Sequence, residues 1–370
     1  MGRLSTQSYI LRHIFDMKIL YLSCHSILEW DELCMLTELD DILPANQKLG
    51  IEVFSMGAFM NPTQAGDYSR NVVPKGRFYP QLYTVALQCD KDNIHDELLD
   101  WCDVVWFMHN SSVSGQKEQQ RWVVRNWDKI QKHKKKAIWR SIGQSTPSLE
   151  RELLPYRQKG LKVVRYSPFE EKIPEYCGAD AFIRFSKDKD EYKGWTGEKK
   201  QVITFAQSFM KRGESLGYHL FEKTTYGLSR KVFGKENENL GDLNGGFAGY
   251  ESLKDELRQS RVFWYFGTQP AQYTLSFIEA MMMGIPVVAV GRKLRNTQFP
   301  WDSYEVPDII SNGVNGYIAD DVKELRGYVE LLLNDYETAN RIGQAGRETA
   351  IKLFDKQMIM SQWADFLRTL

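Results

Sequence analysis

The chain has 370 residues, 42% hydrophobic and 26% charged, with a formal net charge of zero. That length fills two domain cores, the composition is that of a globular protein, and the balanced charge lacks the basic excess of a duplex nucleic-acid binder. The five scattered cysteines (Cys24, Cys34, Cys89, Cys102 and Cys177) form no CxxC pair, which argues against a disulfide framework or zinc site and for a reducing, cytoplasmic setting.

The first sixteen residues hold Arg3, Arg12, His13 and Asp16, so they lack the apolar core of a signal peptide and read as an N-terminal extension. Residues 18–23 and 51–55 read as buried strands, with a helix over 31–43 between them, stopped by Pro44. The polar stretch 57–80 is too long for a plain connection and reads as a functional loop. Further strands are expected at 103–108, 137–139, 162–166 and 181–183. The basic run 132–136 is able to touch an anionic membrane surface or DNA, although a solvated helix end accounts for it better.

Residues 187–200 (KDKDEYKGWTGEKK) are almost free of apolar side chains and read as a linker. The pattern then restarts, with strands at 202–206, 262–266, 286–290 and 317–319 and helices at 275–283, 336–353 and 356–370. Asp321, with Glu324 three residues on, predicts a capping box. Strands alternating with helices imply parallel sheets covered on both faces. The expected organisation is an extension (1–16), an N-terminal Rossmann-like domain (17–198), a second such domain (199–353) and a C-terminal helix (354–370) returning to the first. The longest apolar run, 280–290, holds Gly284 and Pro286 and is about half the length a bilayer span requires.

The segment TQPAQYTLSFIEAMMMGIPVVAV carries most of the chemistry. A buried strand ends, a loop turns, and Thr274 stands at an N-cap position, while Gly284 closes the helix and Pro286 stops it. The helix N-terminus thus falls at the carboxyl edge of a parallel sheet, where its amides and dipole favour a phosphate or diphosphate. Leu275, Glu279 and Met282 share one side by their spacing, and a carboxylate one turn beyond a phosphate site can accept from ribose hydroxyls.

This stretch resembles the donor-binding signature of retaining family-4 glycosyltransferases of the two-domain GT-B architecture. The match is closest at FIEAMMMGIPVV (residues 277–288), and Asn312-Gly-Val-Asn-Gly-Tyr317 with the helices after it follows the family's order. The resemblance implies two Rossmann-like domains facing each other across a cleft. It implies transfer of a sugar from a UDP- or GDP-sugar to an acceptor hydroxyl, with retention, with no metal and no prosthetic group, and with Glu279 on the nucleotide ribose.

Two positions depart from the signature. Eight residues before Glu279, where the family has a sugar-contacting acid, stands Ala271, and Gln272 or Tyr273 beside it is able to substitute by hydrogen bonding. In the loop 206–213 (AQSFMKRG), Arg212 matches the family's diphosphate-holding Lys and Lys211 is adjacent, but Ser208 stands where the family has Arg. Arg212 retains a geometry suited to bidentate phosphate binding. Lys211 reads equally as a solvated turn.

The glycine-rich loop ending at Gly249 is either a simple turn or, by resemblance, a contact for the nucleotide base. His109, at the end of the 103–108 strand, is suited to hydrogen-bonding a sugar or moving a proton, and equally to a structural role. His25 and the pair Arg140-Ser141 also lie at strand ends, while Glu29, Asp31 and Glu32 read as the acidic first turn of a helix. The strings Asp90-Lys-Asp92 and Asp188-Lys-Asp190 sit among lysines and read as surface charge rather than a metal site. The acceptor is open between a glycan, a lipid-linked sugar, a protein and a modified nucleobase. A nucleotide-sugar epimerase of the same fold and a degenerate, non-catalytic nucleotide- or glycan-binding protein are the alternatives.

Overall fold

The structure, a computed structural model, describes residues 17–23, 51–55, 80–86, 88–89, 92–109, 122–143, 145–247, 249–295 and 299–370. The helix expected over 31–43, the acids at Glu29, Asp31 and Glu32, His25, and the long segment 57–79 lie outside these residues. The chain divides into two compact units. One comprises Met1–Pro168, Pro174–Phe185 and Ile359–Leu370, and the other Phe169–Ile173 and Ser186–Met358.

The first unit is built on six parallel strands: β1 (Met17–Ser23), β2 (Ile51–Ser55), β3 (Val104–His109), β4 (Lys136–Ser141), β5 (Lys162–Arg165) and β6 (Ala181–Phe182). Their order is β2-β1-β3-β4-β5-β6, and β3 runs in register with β4 from Val104↔Lys136 to His109↔Ser141. Near-continuous apolar runs suit strands covered on both faces, and Leu20, Val105, Phe107 and Trp139 are fully buried among Leu98 and Leu153. The helix Pro147–Gln158 starts on the Thr146 hydroxyl, which accepts from Leu149 N at 3.3 Å. From Ile359 the last helix, Lys356–Leu367, belongs to this unit, where Trp363 packs on Trp106 with ring centroids 4.7 Å apart.

Among the described residues of this unit two arginines are buried. Arg140 lies between the rings of Phe185 and Trp363, at 4.7 and 5.3 Å. Arg165 makes a bidentate pair with Glu150 through contacts of 2.8 and 2.6 Å, both side chains being fully buried. Burial alone pushes the Glu150 carboxyl up. The Arg165 charge and hydrogen bonds, the Cys177 amide and the Ser145 hydroxyl outweigh it and hold the carboxyl below its ordinary value.

The second sheet is also six-stranded and parallel: β7 (Lys199–Phe205), β8 (Arg230–Phe233), β9 (Asn244–Gly246), β10 (Ser260–Tyr265), β11 (Val287–Val290) and β12 (Tyr317–Ala319), in the order β12-β11-β10-β7-β8-β9. Apolar runs reveal four of these strands. β8, half of it charged, and β9, an Asn-Gly-Gly edge, carry no such signal. The stretch read as a glycine-rich loop therefore begins as an edge strand, and Gly245 is required there because a Cβ would lie 2.5 Å from the Phe233 ring.

The helix Leu275–Met283 packs along Tyr336–Phe354. Gly284 ends it in the left-handed region at φ 89°, and a Cβ on Gly343 would fall 2.0 Å from the Gly284 carbonyl, so only glycine permits this approach. Asp321 caps the helix Val322–Asn334 by accepting from the amides of Lys323 and Glu324 at 2.8 and 3.0 Å. The reciprocal half of the capping box is not made, since Glu324 accepts from the Tyr328 hydroxyl at 2.9 Å instead.

The segment read as a linker is fastened to the second unit by buried side chains. Lys187, Tyr192 and Trp195 within it are buried, and the Trp195 indole donates to Ser260 O at 2.8 Å.

Replacing Arg165 with Met strands the Glu150 carboxylate and is expected to cost about 3–5 kcal/mol in denaturant unfolding. Because the folded carboxyl is held low, the pair's contribution is complete above the unfolded Glu value of about 4.3 and is lost as pH falls through the lower folded value. The stability gap between wild type and R165M should therefore narrow on acidification below that range, as followed by unfolding at a series of pH values.

Candidate nucleotide site in the second unit

In the second sheet the chain winds outward from β7 through β8 to β9, and from β10 through β11 to β12 in the opposite direction. The reversal between β7 and β10 opens a crevice at the strands' carboxyl ends, where open α/β sheets bind ligands. A cavity of about 150 Å³ occupies that point. Ala206 and Gln207 line it after β7, Gly267 and Thr268 line it after β10, and Arg212, Thr274 and Ser276 complete it.

The β10 side is built around Tyr265. Its hydroxyl accepts from Thr274 N at 3.0 Å and lies 3.3 Å from Thr274 Oγ1, which in turn is 2.9 Å from Ser276 Oγ. Burial pushes the Tyr265 phenol up, outweighing the opposing effects of Arg295 and the two Thr274 contacts, so the hydroxyl keeps its proton. Thr274 has the extended backbone of an N-cap, but its hydroxyl, engaged by Tyr265 and Ser276, makes no capping bond. Of the first-turn amides, Phe277 N donates to Thr274 O at 3.1 Å, and those of Leu275 and Ser276 are not covered by the Thr274 side chain. Gly267 is needed beside Tyr265, with φ +75° and a would-be Cβ 2.5 Å from the tyrosine oxygen.

The loop between β10 and the helix is wrapped on Arg295. This buried guanidinium donates to the carbonyls of Phe266 (2.8 Å), Thr268 (3.0 Å) and Ala271 (2.8 Å) and sits 3.9 Å from the centre of the Tyr304 ring. In sequence Arg295 follows Arg292 and Lys293 closely. Only the fold turns it inward, and neither it nor Tyr265 has a signal that periodicity would reveal.

On the β7 side, Asn237 braces the turn by accepting from Phe209 N at 2.9 Å and donating to Ala206 O at 2.7 Å. Ser208 takes a left-handed backbone (φ 51°) and donates its hydroxyl to Glu236. Arg212, at the end of the short helix Phe209–Arg212, is exposed and reaches the cavity wall, while exposed Lys211 does not line it.

Glu279 stands one turn beyond Ser276. Its Oε1 accepts from Lys187 Nζ at 2.6 Å and from the Tyr192 hydroxyl at 3.2 Å. Gln272 and Tyr273 are buried and do not line the cavity. Tyr273 packs its ring on Phe354 at 5.3 Å, and the Gln272 carbonyl accepts from Glu305 N at 3.1 Å. Leu275 is a core residue. Gly249 is exposed at the start of the helix Tyr250–Gln259.

In the first unit, His109 ends β3 opposite Ser141, and its side chain lies outside the described residues. Arg140 and Ser141 are turned inward, the Ser141 hydroxyl accepting from Tyr166 N at 3.1 Å. Among the described residues no group of three His, Cys, Asp or Glu side chains is placed to hold a metal ion, and no helix is long and apolar enough to cross a membrane.

Removing the Arg295 guanidinium leaves three carbonyls without that donor. R295M is expected to lose at least about 3 kcal/mol of stability, read as a lowered thermal or urea midpoint of the second unit.

No protein-family profile matches this sequence, and no curated protein does. Solved structures do. Anabaena HepE in complex with UDP-glucose matches with a TM-score of 0.63 at 14% identity, covering 96% of this chain and 100% of that one. A glycosyltransferase from Rickettsia africae ESF-5 matches with a TM-score of 0.65 at 12% identity, covering 96% and 99%. Sucrose-phosphate synthase from Thermosynechococcus elongatus matches with a TM-score of 0.65 at 13% identity, covering 95% and 98%. At such identities the likeness establishes the fold: two Rossmann-like α/β domains of the GT-B type.

Proposed function

We propose that this protein is a glycosyltransferase that takes a sugar from a nucleoside-diphosphate sugar and passes it to an acceptor hydroxyl. The observation that carries the reading is the convergence of Arg212 and the uncapped first turn of Leu275–Met283 on one cavity at the strand-order reversal. An exposed guanidinium and free backbone amides form a site for a diphosphate. The bond from the anomeric carbon to the departing diphosphate oxygen is the one that breaks, and the negative charge grows on that oxygen. Arg212 and the amides of Leu275 and Ser276 meet that charge where it develops. They supply the positive field that a metal provides in other transferases, so the reaction is proposed to need neither metal nor prosthetic group.

Glu279 is assigned to the ribose, and the backbone near Gly249 to the base. UDP is the first nucleotide to test, because HepE was solved with UDP and with UDP-glucose. His109 is assigned to the acceptor side, as a hydrogen-bonding or proton-transfer group. The acceptor belongs to one of four classes: a glycan, a lipid-linked sugar, a protein or a modified nucleobase. Retention of anomeric configuration is part of the reading.

Arg212→Ala is expected to lower kcat by about 10²- to 10³-fold and to weaken UDP binding. Assays with UDP-glucose and GDP-sugars over an acceptor panel measure this, and unchanged turnover and affinity would remove Arg212 from the mechanism. Proton NMR of the first product formed reads the anomeric configuration, and an inverted linkage excludes retention. UDP binding with no transfer across the panel would support the non-catalytic alternative.

A further inference from the structure

We infer that Lys187 and Tyr192 are positioning residues. They hold Glu279 by one carboxylate oxygen and leave the other as a selective acceptor for the ribose hydroxyls of the donor nucleotide. This rests on the ribose role of Glu279 proposed above. Every residue of Leu275–Met283 except Ser276 and Glu279 is buried. A carboxylate in such surroundings needs a partner, and it has two, both on Oε1: Lys187 Nζ at 2.6 Å and the Tyr192 hydroxyl at 3.2 Å. Lys187 is itself only 5% exposed, so this is an ordered pair and not a fluctuating surface contact. Among the described residues Glu279 Oε2 makes no hydrogen bond, and the side chain remains partly open.

The clamp is held rigidly from behind. Lys187 donates its amide to Phe354 O at 3.0 Å and accepts from Lys356 N at 3.3 Å. The Lys189 ammonium meets Asp355 at 2.9 Å. Arg347 donates to the carbonyls of Lys189, Tyr192 and Met282, which ties the segment to the C-terminal end of the helix that carries Glu279. The Trp195 ring stacks on Tyr336 at 5.8 Å, with the planes 8° apart. A free glutamate loses rotamer entropy when it binds a diol. One already fixed at Oε1 by a braced cation has lost most of it, and its second oxygen has a defined direction.

The test compares the full-length protein and its variants for binding of UDP and 2′,3′-dideoxy-UDP by titration calorimetry, with thermal unfolding as the control for folding. Wild type should prefer UDP by roughly 10- to 100-fold, the range expected when an acceptor in the site loses its partner. Lys187→Met should reduce that preference to within about threefold, chiefly by weakening UDP, with dideoxy-UDP affinity little changed. Lys187→Arg should restore most of the preference, and Tyr192→Phe should lower it partway. A folded K187M that keeps the full ribose preference overturns the inference while leaving the ribose role of Glu279 intact. If K187M does not fold, Tyr192→Phe decides, and a wild-type preference in that variant overturns the inference. Wild type that binds UDP with no ribose preference removes the role of Glu279 and the clamp with it. Wild type that binds no nucleotide overturns the functional reading first.

Discussion

Both sheets are parallel and covered on both faces, and that constraint shapes everything else in this protein. Strands such as β3 and β10 have apolar neighbours above and below, so no polar chemistry fits along their length. Polar groups can gather only where strands end. In the second unit the reversal of strand order between β7 and β10 sends the two connections apart and leaves space at that end. The cavity, Arg212 and the first turn of Leu275–Met283 meet there as a consequence of topology.

The helix Leu275–Met283 serves core and site together. Met281, Met282 and Met283 are fully buried, and Gly343 lets the helix's C-terminal end approach Tyr336–Phe354 more closely than any side chain would allow. Its N-terminal end is left open because Tyr265 and Ser276 engage the Thr274 hydroxyl that would otherwise cap it. A capped helix would be more stable by about 1 kcal/mol. Here that stability is forgone at a helix end that lines the cavity.

Buried cations recur, and each is accommodated differently. Arg165 has a carboxylate, Arg140 has two aromatic faces, Arg295 has three loop carbonyls and an aromatic ring, and Lys187 has Glu279. The first two organise the first unit. The last two act on the same helix, Arg295 by shaping the loop before it and Lys187 by holding its only carboxylate.

The sequence by itself determined the α/β class, most of the long buried strands, and the strand–turn–helix ending at Gly284 and Pro286, because those signals are local: apolar runs, an N-cap residue, a glycine stop. It also singled out Arg212 and Thr274, which line the cavity, and Glu279, which stands on the same helix outside that lining. The tertiary structure decided what those residues touch. Ser208 is tied to Glu236, a residue that only the β7–β8 pairing brings beside it, and Tyr273 and Gln272 are drawn into the core instead of the cavity. β9 has no apolar signal, because its strand character comes from pairing with β8 and from the room a glycine leaves for Phe233. The charged stretch before β7 has the composition of a tether and becomes a clamp, because its three buried side chains find their partners far along the chain, at Ser260, Glu279 and Tyr336. Contacts of that range depend on how elements pack, and no spacing within the sequence encodes them.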